Sequence, residues 1–208
     1  EMLDKLISLG QHPVKVADAA IILEKIGKFL DRDVERIFKQ YKAQRMPNIE
    51  ISQRIGEELD IETILTSSAK KWDGGYVMAG LIGHGDAFVL RDENGIRPCF
   101  YYYDDEIAVV ASERPVIMTT FNKPLTEIKE LEPGHAIIIK KNGQISIKQI
   151  KEPAQKPAKC SFERIYFSRG TDADIYEERK ALGKLICPRV LQAIDYDIKN
   201  TVISYIPN

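Results

Sequence analysis

Cysteine is scarce in these 208 residues. There are three, Cys99, Cys160 and Cys187, an odd and widely spaced set that argues against a disulfide framework and for a reducing cytoplasm. An excess of one charge is lacking too. Thirty basic residues stand against thirty-one acidic, a formal net charge of -1, which leaves no electrostatic footprint for nucleic acid or an anionic membrane, so neither is expected as a partner. No apolar run reaches the roughly 18–20 residues that span a bilayer. The three histidines, His12, His84 and His135, are dispersed, whereas a metal site needs convergent ligands at short spacing; no metal site is expected. Internal repeats and low-complexity stretches are absent.

What is present is ordinary globular material, 44% apolar and 29% charged, long enough for one substantial domain or one domain and the beginning of another. The first third reads as helical. Ala19, Ile22, Leu23, Ile26 and Leu30 recur at helical spacing behind Asp18, which stands where an N-cap would. Val34, Ile37, Phe38 and Tyr41 continue the stripe up to Arg45–Asn48, and Ile51–Leu65 predicts one or two further helices. From Tyr76 the period changes to that of strands: 76–82, 87–90, 100–103, 107–111, 128–131, 136–140 and 145–150, with a short helix at 115–121. Residues 151–159 read as a linker. Asp172 or Asp174 caps a long helix over 175–194, with Pro188 a kink or break, and Val202–Ile206 reads as a closing strand. Strands with segregated helices indicate an α+β class. Glu1 lies inside an apolar helical pattern and the chain stops just after an apolar run, so an internal piece of a longer protein is expected.

The densest signal is the run from Leu81 to Pro98. A strand delivers Arg91-Asp92 to a turn that Gly95 permits, and Pro98 stiffens the exit. Arg97 has the donors to bind a carboxylate, but local physics favours pairing with Asp92 or with a buried carbonyl. Arg91, Asp92, Gly95 and Arg97 therefore read as a structural corner. Ser112 and Glu113 have capping character before the short helix, and Pro133-Gly134 makes a tight turn.

The ordered set RDENGIRP (91–98), VVASE (109–113), LEPGHA (131–136) and CSFERIYFSR (160–169) resembles the glutamine phosphoribosylpyrophosphate (PRPP) amidotransferases, strongly from about Val77 onward. The resemblance implies an αββα sandwich of the N-terminal-nucleophile hydrolase (class II glutaminase) type, incomplete here, followed by the start of an α/β phosphoribosyltransferase domain. It divides the chain into 1–159, the back part of the glutaminase domain, and 160–208, a connecting segment, long helix and first transferase strand. It also implies a parent enzyme of purine synthesis that makes 5-phosphoribosylamine, glutamate and pyrophosphate from glutamine, PRPP and water. That parent would be a homo-oligomer using Mg2+, and some members carry an iron–sulfur cluster, one of whose ligands is the cysteine at the position of Cys160; plain packing of Cys160 stands as the other reading.

The family's nucleophile is an amino-terminal cysteine whose own amine acts as base. Residue 1 is glutamate, so no catalytic residue is assigned and these residues alone are expected to be inactive, with no cofactor of their own. One glutamine-binding contact is carried over: Asp18 matches the family's aspartate at a helix start, although its flanking Ser and Glu are missing. Two alternatives stay open, another class II amidotransferase such as asparagine synthetase and a non-catalytic binding module derived from the fold.

Overall fold

The structure, a computed structural model, describes Asp4, Ile7, Ser8, residues 17–156 and residues 158–204. The helical pattern at Met2, Leu3 and Leu6, His12, and the last residues of the expected 202–206 strand lie outside these. Among the described residues no helix is long and apolar enough to cross a membrane.

The chain forms two units. The first holds the described residues up to Gly95 and again from Leu131 to 156; the second holds Ile96–Glu130 and the described residues from Ala158 onward. This spatial grouping is a separate matter from the sequence division at 159/160.

In the first unit, the two apolar stripes merge into one helix, α1 (Asp18–Ala43). It stops where Arg45 turns left-handed (φ 60) ahead of Pro47, since a residue before proline is pushed out of helical geometry. α2 (Asn48–Glu58) follows Pro47 directly. α3 (Ile61–Ala69) is capped by Asp60, whose carboxylate accepts from the Thr63 N–H at 3.0 Å and the Thr63 hydroxyl at 2.6 Å. The strands are β1 (Val77–Leu81), β2 (Ala87–Arg91), β6 (His135–Ile139) and β7 (Ile145–Gln149), antiparallel in the order β1-β2-β6-β7. Ile26, Ile37, Leu59 and Leu65 from the helices, with Trp72, share one core with Phe88, Leu90, Ala136 and Ile138 of the sheet. Each such buried side chain contributes about 1.5–3 kcal/mol of hydrophobic stabilisation.

The second unit holds β3 (Phe100–Tyr103), β4 (Ala108–Ala111) and β5 (Lys129–Glu130) in the order β4-β3-β5, with α4 (Arg114–Phe121) after β4. Tyr102, Ile117 and Ile128 form its small core. A single π turn covers Glu163–Phe167, and α5 spans Ala173–Ala193. Of the two cap candidates, Asp172 caps α5 by accepting from the N–H groups of Asp174 and Ile175, and Asp174 lies in the first turn.

Four expectations need correction. The N-cap of α1 is Ala17 and Asp18 is the first helical residue, so Asp18 supports the helix through charge at its positive end and not as a cap. Glu113 occupies the N-cap of α4 but makes no side-chain capping bond, and Pro115 already supplies the first-turn stiffness. α5 runs unbroken through Pro188. Residues 202–204 form no strand: Val202 and Ile203 are exposed and have no ladder partner, and an apolar strand without a neighbouring strand has nowhere to place its backbone hydrogen bonds.

Candidate functional site

Of the corner read from sequence, Arg91, Asp92 and Gly95 form a buried polar knot in the first unit, and Arg97 stands outside it. Arg91 and Asp92 are almost wholly buried. The Arg91 guanidinium donates to the carbonyl of Leu131 and, at 3.2 Å, to that of Gly95. Asp92 accepts from the N–H groups of Asn94 (3.0 Å) and Tyr76 (3.3 Å), and its carbonyl accepts from the Gly134 N–H at 3.0 Å. Gly95 has φ +63, and a Cβ there would meet Pro133 at 2.9 Å. Gly134 is more constrained: its φ is +73, and a Cβ would lie 2.4 Å from the Lys151 carbonyl oxygen. The RDENGIRP and LEPGHA motifs thus meet in one knot. The expected linker is tied to it as well. Lys151 Nζ pairs with Glu93 and donates to the Trp72 carbonyl, while the Ala154 N–H donates to the Glu93 carbonyl. Burial, with Glu93 and Asp92 close by, pushes the Tyr76 hydroxyl well above its ordinary range.

Arg97 belongs to the second unit, where it pairs with Glu163. Four further ion pairs hold the CSFERIYFSR segment and the start of α5 there. Arg164 pairs with Glu178, Arg169 with Glu113, and Arg114 with both Asp172 and Asp174. Burial pushes the Asp172 carboxyl up, but the Arg114 guanidinium and the α5 N–H groups outweigh it and hold the carboxyl below the ordinary range. Asp18, exposed in the first turn of α1, stands apart from the corner as a separate candidate.

A cleft that the sequence reading missed opens in the first unit between α2 and the β1–β2 and β6–β7 turns. It encloses about 590 Å³. Its floor is Asp86, fully buried, which accepts from Lys140 Nζ at 2.5 Å and from the Lys141 N–H at 2.8 Å. His84 Nε2 lies 2.9 Å from the same carboxylate but out of line for a hydrogen bond. Burial raises the Asp86 carboxyl, and the contacts with Lys140, His84 and Lys141 together bring it below the ordinary range. Gly83–Asp86 and Lys140–Gly143 each read as a simple turn. The β2–β6 register, with Ala87 opposite Ile139, is the signal that puts them side by side.

Among the described residues no group of three His, Cys, Asp or Glu side chains could hold a metal ion. Cys99 is buried, Cys160 half-buried and Cys187 exposed on α5. No donor set for magnesium or for an iron–sulfur cluster is therefore found among them.

Residues 57–160 match the family of glutamine amidotransferases class-II. The chain is 27% identical over 197 residues to an amidophosphoribosyltransferase of Saccharomyces cerevisiae, covering 86% of this chain and 38% of that protein. It is 27% identical over 150 residues to one from Pseudomonas aeruginosa, covering 68% and 29% respectively. Among solved structures, the glutamine PRPP amidotransferase from B. subtilis, complexed with ADP and GMP, superposes with a TM-score of 0.54 at 20% identity over 81% of this chain and 30% of that one. The mixed helix-and-sheet fold is thus of the class II glutaminase type, and the chain spans well under half the length of these relatives.

Proposed function

The chain belongs to the class-II glutamine amidotransferases, and on that premise we propose that it is part of an amidophosphoribosyltransferase. Such an enzyme uses ammonia from glutamine to convert PRPP into 5-phosphoribosylamine, with glutamate and pyrophosphate as the other products. The observation that carries the proposal is the reach of the yeast alignment. It takes in 86% of the chain, whereas the match to the class-II glutamine amidotransferase family covers residues 57–160. The CSFERIYFSR segment lies at and beyond the end of that stretch, which supports this enzyme over an asparagine synthetase.

In this reading the described residues supply scaffold and one substrate contact. The nucleophile has to be a cysteine with a free amine. Cys99, Cys160 and Cys187 all have their nitrogen in a peptide bond, so none of them qualifies and the nucleophile lies outside the described residues. The Arg91–Asp92–Gly134 knot fixes the β2–β6 strand ends. Asp18 offers its carboxylate to the α-amino group of glutamine. Magnesium and PRPP are handled by other parts of the protein, which acts in the cytoplasm as a homo-oligomer.

The test uses the whole native protein that contains these residues. Glutamate release from glutamine should depend on PRPP and be matched by pyrophosphate. Release that instead depends on ATP and aspartate would replace this reading with a synthetase, and no release at all would favour a binding module. Within an active enzyme, Asp18→Ala should raise the glutamine KM by roughly tenfold or more, the loss of one charge-assisted hydrogen bond. An unchanged KM would reduce Asp18 to a helix-end charge.

A further inference from the structure

The α2 cleft is lined by two acidic and two basic side chains, Glu57 and Asp86 against Lys140 and Lys141, but its two turns leave one of the cations without an ion pair. Asp86 is saturated by Lys140, the Lys141 N–H and the adjacent His84, and Glu57 on the opposite wall pairs with Arg54 at 3.2 Å. The remaining polar groups are donors or can act as donors. Among the described residues the Lys141 ammonium has no acidic partner, and its stem passes close over Gly85, where a Cβ would meet it at 3.1 Å. Asn142 uses its side-chain oxygen to accept the Gln144 N–H, leaving its NH2 group unused. Ser52 and Gln53 line the other wall.

We propose that this cleft is a binding site for the anionic group, a phosphate or a carboxylate, of a small metabolite. Lys141 supplies the charge, and Asn142 and Ser52 supply hydrogen bonds. The volume is that of an ordinary metabolite pocket. The wall formed by Ser52, Gln53 and Gly56 lies upstream of the stretch that matches the family, and the two turns lie within it. It does not rest on the amidotransferase reading, because none of these residues takes part in it.

The experiment titrates the 208-residue chain at constant ionic strength with inorganic phosphate and, separately, with acetate, followed by NMR of backbone amides and the His84 ring. Saturable shifts confined to Gly56, His84, Lys141 and Asn142 are expected with one of the two anions, with a Kd of about 1 mM or tighter. Saturation by phosphate alone marks a phosphate-bearing ligand, and saturation by acetate alone a carboxylate. Lys141→Glu should weaken binding at least roughly tenfold, and Ser52→Leu should block it from the facing wall. Lys184→Glu, the same charge change on α5, should leave it intact. Absence of saturation with both anions, or equal binding by the Lys141 variant, overturns the proposal.

Discussion

At Gly134 three demands converge. The backbone is left-handed, a Cβ would sit 2.4 Å from the Lys151 carbonyl oxygen, and the residue's own carbonyl accepts from both Ile150 and Lys151 N–H groups. An alanine there can relieve neither the φ strain nor the collision by a rotamer change, because the obstacle is backbone. Gly134→Ala should therefore destabilise the chain by about 2–4 kcal/mol, summing left-handed strain and overpacking, visible as a lower urea midpoint at unchanged slope. Arg91→Lys tests the same knot from the other side. One ammonium cannot reproduce the forked donation to Leu131 and Gly95, and a buried carbonyl left unpaired costs about 1–3 kcal/mol. A loss within experimental error would mean that the knot is not held by this fork.

On the scale of elements, the beginning of α5 couples two jobs in one carboxylate. Asp172 caps the helix and also takes the Arg114 guanidinium. Its pKa is lower in the folded chain than in the unfolded one. Its stabilising effect is therefore complete above the unfolded value of about 4 and is lost as pH falls through the lower folded value. Urea unfolding should show stability falling as the pH drops below about 4, and Asp172→Asn should flatten part of that fall while lowering stability at pH 7. An identical pH profile in the variant would show that Asp172 contributes nothing to it. Much at this scale was legible in the sequence. Capping by Asp172, the switch to strands after Trp72 and the two hairpins follow from local chemistry. The break allowed at Pro188 and the strand at Val202–Ser204 did not follow, because their fate depends on neighbours. A helix tolerates proline when enough turns on each side hold it, and a strand exists only beside another strand. The His84–Asp86–Lys140 group was missed for a similar reason: its members sit in two turns 54 residues apart, and only the pairing of β2 with β6 unites them.

For the molecule as a whole, the chain passes between its two units three times, near residues 95, 130 and 157. A polypeptide ending at Lys159 would keep Arg97 and Arg114 but lose Glu163, Asp172 and Asp174, their partners within the second unit. Relative to the 208-residue chain, we expect residues 1–159 to show a lower thermal midpoint and earlier hydrogen exchange in β3 and β4, with β2 and β6 little changed. If β3 and β4 exchange at the same rate in both, the 1–159 segment is self-sufficient and the sequence division at 159/160 marks a true folding boundary. The Arg114–Asp172 pair also sets a clock for synthesis. Fifty-eight residues separate its members, and at about 5–20 residues per second a ribosome takes on the order of 3–12 s to cover them. For that interval the β3–β4 hairpin and α4 wait near the exit tunnel with the Arg114 guanidinium lacking its carboxylate partners. This is the stage of the chain's life at which a holding chaperone would matter most.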